Sequence, residues 1–288
     1  MKIVTDAAAD LPNTEIESLG ITVAPLYITF PDKTVNCMEL TPDEFYDQLE
    51  RMAPRVPTTS QPSQGAFLDI YHKLAEIGEE IMAVHISSGL SGTIQSSSLA
   101  AKEVASPRIS VVDSLTLSGG QRFQVLAAAA ATKSGWATSK IIEFLKRIQQ
   151  NTEVIYTLDT LDYLARGGRI GRVEALAGSV FKIKPVINVN KVDGKYSTVG
   201  KARTLQRAEV MIVDHLYEIY GEKPVWACVM HGRFAEHAAI LADMVKAKLK
   251  CAKLEILRIS PVLGVHTGPG IVGVGIVPMS LMEECGAA

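Results

Sequence analysis

The segment Ile81-Met82-Ala83-Val84-His85-Ile86-Ser87-Ser88-Gly89-Leu90-Ser91-Gly92-Thr93 carries the pattern that decides the fold. Its first six residues form an apolar run typical of a buried strand, and serines and glycines then interrupt that run. A helical pattern follows over residues 95–105. A strand, a glycine-rich turn and a helix in this order indicate an α/β fold.

The same alternation of short apolar runs and amphipathic segments continues along the chain. It predicts strands at residues 2–5, 21–30, 81–86, 109–112, 154–158, 186–189, 196–199, 225–230, 254–259 and 271–277. It predicts helices after Pro62 and at residues 95–105, 123–134, 205–220 and 236–249. Another helix is predicted to begin at Thr41, because Thr41 and Glu44 can form a capping box around Pro42.

A change in the pattern marks a candidate domain boundary. The polar run Gln149-Gln150-Asn151-Thr152 ends a predicted helix, and the α/β alternation then restarts. A hairpin is predicted further on, across Asp193-Gly194. We therefore predict two α/β domains, residues 1–151 and 152–288, with a cleft between them.

The composition excludes several classes of function. Of the 288 residues 47% are hydrophobic and 21% charged, which suits a globular protein with a real core. A net charge of -2 argues against nucleic acid as the main partner, because neutralising phosphates needs a basic face. No apolar run approaches the ~18 residues of a membrane-spanning helix. No transmembrane segment is therefore predicted, and transient contact with a membrane stays open.

The N-terminus and the cysteines favour the cytoplasm. Met1-Lys2-Ile3-Val4 leads directly into a strand, without the basic and apolar regions of a secretory signal. The four cysteines are scattered and form no C-x-x-C pair, so neither a structural metal site nor a disulfide framework is predicted.

Two hydroxyl-rich segments are the best candidates for a binding site. Thr58-Thr59-Ser60-Gln61-Pro62 precedes a helix, and a single N-cap would use only one of its hydroxyls, so capping alone and capping with ligand binding both stay open. The segment from Ser87 to Thr93 presents N–H donors at a helix N-terminus, which suits an anion. It lacks the lysine of a P-loop. It also matches neither the dinucleotide-binding motif G-x-G-x-x-G nor the hydrolase motif G-x-S-x-G. A tight strand-to-helix turn with a cap remains the alternative.

Arginine and histidine side chains mark three further candidate sites along the sequence. Leu164-Ala165-Arg166-Gly167-Gly168-Arg169-Ile170-Gly171-Arg172 is either a solvated loop or a set of anion donors, and its glycines allow close approach of the backbone. Arg203, after the predicted hairpin, could face the same cleft. His266 precedes a Gly-Pro-Gly turn, although a lone histidine is more often structural. Asp6 and Asp113 each end a strand and are candidates to cap or orient these loops.

In order and spacing these segments resemble the DegV family over nearly the whole chain. The resemblance rests on Val4-Thr5-Asp6, Ala9-Asp10-Leu11, Thr59-Ser60-Gln61-Pro62, Ser87 to Thr93, Val112-Asp113-Ser114, Gly167-Gly168-Arg169-Ile170 and His266-Thr267-Gly268-Pro269-Gly270. It implies two α/β domains of the DegV type, with a fatty acid bound at or near their interface. Some members are similar to the fatty-acid-carrying subunit of bacterial fatty acid kinase, which presents its acid to a separate kinase for acyl-phosphate formation.

The resemblance also implies roles for individual residues. The expected carboxylate-binding set is Thr59, Ser60, Ser91, Thr93 and His266. The expected phosphate or kinase contacts are Arg166, Arg169, Arg172 and Arg203, with Arg203 a candidate for phosphate transfer. Two positions depart from the family pattern: Ala7 removes a hydroxyl from the cleft, and Arg122 is expected to alter the surface near its mouth. No cofactor and no metal are expected beside the fatty acid.

The residue types suit a fatty acid for physical reasons. An ionised carboxylate only accepts hydrogen bonds, so its site needs donors alone. Burying it costs several kcal/mol, and each hydrogen bond to a charged group contributes about 1.5–3 kcal/mol. The tail then adds about 0.8 kcal/mol per buried methylene, on the order of 12 kcal/mol for a long chain. The alternatives are a stand-alone hydrolase or phosphotransferase using Ser91 and His266, and a lipid-sensing regulatory protein.

Overall fold

The computed structural model describes residues 1–104, 108–173 and 183–288. Its β-strands are, in chain order, β1 (Lys2–Asp6), β2 (Thr22–Ala24), β3 (Tyr27–Thr29), β4 (Thr34–Asn36), β5 (Thr58–Ser60), β6 (Ile81–His85), β7 (Ile109–Asp113), β8 (Glu153–Leu158), β9 (Lys184–Val189), β10 (Tyr196–Ala202), β11 (Val225–His231), β12 (Cys251–Arg258) and β13 (Ile271–Pro278). Its α-helices are α1 (Asn13–Leu19), α2 (Pro42–Arg51), α3 (Gln64–Ala75), α4 (Thr93–Glu103), α5 (Ser118–Lys133), α6 (Thr138–Asn151), α7 (Asp162–Arg166), α8 (Leu205–Tyr220), α9 (Ala235–Lys248), α10 (Pro261–Thr267) and α11 (Met279–Glu284).

The first sheet is parallel, in the order β2-β1-β6-β7. Strand β6 is buried along its whole length, because α5 contacts one face of the sheet while α3 and α4 cover the other. Successive side chains of β6 therefore enter different clusters: Met82 and Val84 pack with Ile3, and Ile81 and Ala83 pack with the α3–α4 layer.

The second sheet is mixed, in the order β10-β9-β8-β13-β11-β12, with β11 and β12 parallel and the other pairs antiparallel. Helices α8 and α9 pack against one face, and α5 contacts the other. Helix α5 thus touches strands of both large sheets, and a β-carbon at its Gly119 would lie 3.4 Å from the Cα of Gly275. Small residues let this helix sit close to both.

A small antiparallel sheet, β4-β3-β5, carries the first hydroxyl segment. The single strand predicted at residues 21–30 is wrong, because Pro25 lacks the N–H that a continuous ladder needs and the chain divides there into β2 and β3. Thr58-Thr59-Ser60, expected as a loop, is strand β5 and pairs with β3, Thr59 opposite Ile28. The hydroxyl of Thr59 is therefore placed by a sheet.

The α/β class is confirmed, and most predicted elements appear within a few residues of their expected bounds. The capping box is present: the Thr41 side chain accepts from Glu44 N, and the Glu44 side chain accepts from Thr41 N. The helix predicted at residues 95–105 is α4, and its expected last residue lies outside the described residues. Strands of the first sheet come from residues before the predicted boundary and those of the second from residues after it. The division into two domains stays a prediction.

Within the described ranges, the helices include none with the length and apolar character needed to cross a bilayer.

Candidate functional site

A small cavity of about 40 Å³ brings together residues from both hydroxyl segments. We call it the hydroxyl cavity. It is lined by Leu26, Thr59, Ser60, Gln61, Ile86, Leu90, Ser91, Arg169, Tyr196, Val262, Leu263 and His266. These residues come from the connection between β2 and β3, from β5 and the residue after it, from the turn after β6, from the segment after α7, from β10 and from α10. Elements from distant parts of the chain therefore meet at one polar point.

The two hydroxyl segments touch at Gly92. A β-carbon on Gly92 would lie 2.6 Å from the Nε2 atom of Gln61, so a larger residue at this position would require the Gln61 side chain to shift. Gly92 also precedes α4, whose N-terminus carries partial positive charge. The contact holds the Thr59 strand and the Ser91 turn beside the positive end of this helix.

Ser91 is held by Thr93. The two hydroxyl oxygens are 2.8 Å apart, and the backbone N–H of Thr93 donates to Ser91 Oγ at 3.3 Å. Thr93 is fully buried and is not part of the cavity lining. Ser91 lines the cavity, and Thr93 holds the Ser91 hydroxyl in position from outside the cavity lining.

His266 faces Thr59 across the cavity. Its Nε2 atom lies 2.8 Å from Thr59 Oγ1, over a sequence separation of 207 residues. Burial, and to a smaller extent the positive charge of Arg169, together lower the pKa of the His266 imidazole to about 4. The ring is therefore neutral at pH 7. Its Nδ1 atom is buried and has no hydrogen-bond partner among the described residues.

The glycine-rich segment lies against this histidine. A β-carbon on Gly167 would approach His266 Nδ1 to less than 3.0 Å, closer than real side chains allow. The predicted close approach of the backbone at these glycines is thus an approach to His266. Arg169 lines the same cavity and donates from Nη1 to Gly167 O at 2.7 Å. Gly167 and Arg169 set the position and the electrostatic surroundings of the imidazole.

The other predicted arginines lie elsewhere. Arg166 is exposed and donates to Pro54 O. The side chain of Arg172 lies outside the described residues. Arg203 is exposed just after β10, seven positions beyond Tyr196, which corresponds to roughly 20 Å along a strand. The structure brings Arg169 to the hydroxyl cavity but does not bring Arg166 or Arg203 there.

A buried carboxylate, Asp6, and a half-buried one, Asp113, fix the turns that carry the cavity. Asp6 accepts from Ile86 N at 2.8 Å and from Ala8 N at 3.0 Å, so it joins the ends of β1 and β6. Asp113 accepts from Ser88 N at 3.2 Å and from Leu115 N at 2.9 Å. Both aspartates orient these turns, and Asp6 also caps the short 3-10 helix Ala7–Ala9, so both roles expected from the sequence are present.

The turn of the β9–β10 hairpin packs against the turn that begins at Ser87. The sequence did not predict this contact. Ser87 Oγ donates to Gly194 O at 2.8 Å, and a β-carbon on Gly194 would collide with that hydroxyl. A β-carbon on Gly89 would lie 2.5 Å from Asp193 O. The Asp193-Gly194 signal predicted a turn, but nothing local could show what the turn packs against.

Ala7 and Arg122, the two departures from the family pattern, do not lie where the sequence led us to expect them. Ala7 lines an open groove beside Asp6 and Asp10, and it is not part of the hydroxyl cavity lining. The expected surface role of Arg122 is wrong, because its side chain is fully buried in α5. Glu15 and Glu255 both accept hydrogen bonds from its guanidinium, which compensates the buried charge.

An apolar cavity of about 20 Å³ adjoins the hydroxyl cavity. It is lined by Leu117, Ser118, Val154, Tyr156, Met230, Ile259, Leu263, Thr267, Ile271 and Gly273. Leu263 lines both cavities and lies one turn before His266 on the same face of α10. The ring of Tyr156 meets that of Tyr196 edge-on, with 5.8 Å between centroids. A polar end and an apolar interior are therefore neighbours.

Comparison with known proteins places the chain in a family. The model of the family described as uncharacterised proteins of the DegV family matches residues 1–279, so the chain belongs to the DegV family. A DegV domain-containing protein of Deinococcus radiodurans is 35% identical over 277 residues, covering 96% of this chain and 95% of that protein.

Solved structures agree with this assignment. A fatty-acid-binding DegV family protein from Thermus thermophilus has a TM-score of 0.90 at 31% identity and covers 96% of this chain and 99% of its own. A stearic-acid-binding protein from Eubacterium ventriosum has a TM-score of 0.85 at 25% identity, with coverage of 96% and 98%.

Proposed function

We propose that this chain binds one long-chain fatty acid, with its carboxylate in the hydroxyl cavity, and presents it to a separate kinase that forms the acyl phosphate. The observation that carries the proposal is the pairing of Thr59 with a neutral, half-buried His266 beside Ser91. Similarity to fatty-acid-binding and stearic-acid-binding members of the family supports the choice of ligand.

The hydrogen-bond inventory of the hydroxyl cavity suits a carboxylate. With its proton on Nε2, His266 donates to Thr59 Oγ1, and the Thr59 hydroxyl is then free to donate to the ligand. With the hydroxyl and the backbone N–H of Thr93 both donating to Ser91 Oγ, the proton of Ser91 is likewise left for the ligand. Two such bonds to a charged group contribute roughly 3–6 kcal/mol together. Arg169 and the N-terminus of α4 add positive potential without a salt bridge.

The tail belongs in the apolar cavity next to Leu263. A cavity of about 20 Å³ has room for about one water molecule and not for an acyl chain. Side chains around it must therefore move apart to admit an acyl chain. Met230, unbranched and flexible, and Leu263 are the wall residues best suited to do so. Each methylene buried there contributes about 0.8 kcal/mol.

The hydrolase alternative is not favoured by the geometry. A serine hydrolase needs its base within hydrogen-bond reach of the nucleophile and an acid on the other ring nitrogen. Ser91 Oγ is paired with Thr93 Oγ1, whereas His266 Nε2 is paired with Thr59. Within the described parts of the chain, His266 Nδ1 has no carboxylate to orient it. The arrangement binds a carboxylate more readily than it activates a nucleophile.

Delivery to a kinase requires that the acid's head group can be reached from outside. Thr58, Ser60 and Gln61 are exposed, and Ser60 and Gln61 also line the hydroxyl cavity. The carboxylate would therefore lie just beneath a polar surface, while the tail points inward. This orientation supports transfer of phosphate to the bound acid by a partner protein.

The test is to load the protein with labelled palmitate, add MgATP with or without clarified extract of the source cell, and trap acyl phosphate as the hydroxamate. We expect hydroxamate only with extract, and much less with the Thr59→Ala/Ser91→Ala variant. Product without extract would establish a stand-alone enzyme. Uptake of palmitate without product under either condition would overturn the kinase role and favour a lipid sensor.

A further inference from the structure

The apolar cavity ends at a wall that it shares with a much larger space. On the other side lies an open groove of about 450 Å³. Most of its lining is apolar and comes from the turn after β1, from α1, from β2, from the turn before α2 and from the end of β12. The apolar residues include Ala7, Leu11, Ile16, Val23, Leu40 and Leu257. Ile259 lines both the apolar cavity and the groove.

A hydrogen-bonded pair completes the wall beside Ile259. Ser118 lines the apolar cavity, Asp10 lines the groove, and Ser118 Oγ donates to Asp10 Oδ2. The other carboxylate oxygen, Asp10 Oδ1, accepts from Ser260 N at 2.7 Å. Asp10 therefore fixes both Ser118 and the backbone directly after Ile259.

The wall is built with backbone strain at two of its residues. Asp10 and Ser118 have φ of 50° and 52°, in the left-handed region that side-chain-bearing residues rarely adopt. Asp10 is 7% exposed and Ile259 3%, so the wall is also tightly packed. Strain of this kind persists where the surroundings enforce it and is concentrated at binding sites.

Resting on the proposed function, we propose that Ile259 and the Asp10–Ser118 pair form the end stop of the acyl channel and set the longest chain that the protein accepts. The channel runs from the hydroxyl cavity past Leu263 into the apolar cavity and meets Ile259 there. Removing side-chain volume at Ile259 joins the channel to the apolar groove, so the methyl end of a longer acid gains a place. Ile259 is thus a specificity-determining residue, and Asp10 is a positioning residue.

The experiment is a competition among saturated acids from myristate to behenate, with the bound fraction of each measured by mass spectrometry. The ratio of bound arachidate to palmitate is compared for wild type, Ile259→Val, Ile259→Ala and Ile259→Phe. Each additional methylene that reaches an apolar site raises affinity roughly fourfold. We expect the ratio to rise by about tenfold or more in Ile259→Ala, to rise less in Ile259→Val and to fall in Ile259→Phe.

Ile141→Ala is the matched control, because Ile141 is equally buried in the same core cluster and lines neither cavity nor groove. Its ratio should equal that of the wild type. Unchanged ratios in all three Ile259 variants would overturn the end stop. If Ile259→Ala does not fold, the opposite shifts of the Val and Phe variants decide the question. Failure of the wild type to bind any acid would instead contradict the proposed function, so the two failures are distinguishable.

Discussion

The backbone of Gly167 lies directly against the imidazole of His266. A β-carbon at that position would approach Nδ1 to less than 3.0 Å and Cε1 to 3.0 Å. On its other side the ring is hydrogen-bonded through Nε2 to Thr59 Oγ1 at 2.8 Å. The imidazole is therefore held between a glycine and a threonine, and its position depends on both.

Gly167→Ala should displace the imidazole and break its hydrogen bond to Thr59. The loss of one hydrogen bond that orients a carboxylate donor is worth about 1–2 kcal/mol, so palmitate affinity should fall about tenfold. Isothermal titration with delipidated protein measures this. Gly65→Ala is the control, because its β-carbon would lie no closer than 3.7 Å to Ser63 Oγ and should leave affinity unchanged. Equal affinity in both variants would mean that His266 does not position Thr59.

His266 should make the free energy of unfolding depend on pH. Burial holds its folded pKa at about 4 against 6.5 when unconstrained, so the unfolded chain binds the proton first as pH falls. Stability due to this residue is full above pH 6.5 and is lost as pH drops towards 4. Relative to His266→Gln, the wild type should lose about 3 kcal/mol between pH 7 and pH 4 in urea denaturation. A constant difference between the two proteins would show that the ring is not buried as a neutral group.

Asp10 should make the free energy of unfolding fall as the pH rises, which is opposite to the effect of His266. Burial raises the pKa of its carboxyl from 3.8 to about 6, with the hydrogen bonds from Ser118 and Ser260 offsetting part of that rise. The folded chain therefore keeps its proton longer, and its stability is full below pH 3.8 and falls as pH rises through 6. Asp10→Asn removes this titration. Relative to that variant, the wild type should lose about 3 kcal/mol of unfolding free energy between pH 4 and pH 7. A wild type that gained unfolding free energy relative to Asp10→Asn between pH 4 and pH 7 would contradict the assigned direction of the pKa shift.

Arg122→Met should destabilise the fold strongly. Its guanidinium bridges Glu15 of α1 and Glu255 of β12 from a fully buried position. Its removal takes the shared counter-charge from both carboxylates and leaves Glu255 with the more distant Lys253, at 3.7 Å. Breaking a buried charge cluster in this way costs about 3–5 kcal/mol. Chemical denaturation of Arg122→Met and of Arg147→Met, whose pair with Glu284 is exposed, provides the comparison. The exposed variant should lose at most about 1 kcal/mol.

A rescue separates charge from packing at this position. Adding Glu15→Gln and Glu255→Gln to Arg122→Met removes the repulsion and should restore at least about 1 kcal/mol. No recovery in the triple variant would assign the loss to packing against Trp226, whose ring centroid lies 5.7 Å from Arg122 Cζ.

Local signals predicted the elements, while contacts across the chain determined the site. The capping box of Thr41 and Glu44 could be predicted because its partners are three residues apart. The burial of Arg122 could not, because its partners Glu15 and Glu255 are 107 and 133 residues away and the sequence shows only a charged side chain. The hydroxyls of Thr59 and Ser91 were recognisable as unused donors. The contact of Gly167 with His266 was visible only in three dimensions.

The hydroxyl cavity is the proposed site of the carboxylate, and palmitate affinity tests this assignment most directly. The decisive measurement is the Kd for palmitate of delipidated wild type, Thr59→Ala/Ser91→Ala and a matched control, Thr29→Ala/Ser18→Ala, whose hydroxyls are exposed and outside the described cavity linings. We predict a loss of at least about a hundredfold for the first variant, from two lost bonds to a charged group, and none for the control. Equal Kd values for all three proteins would contradict it.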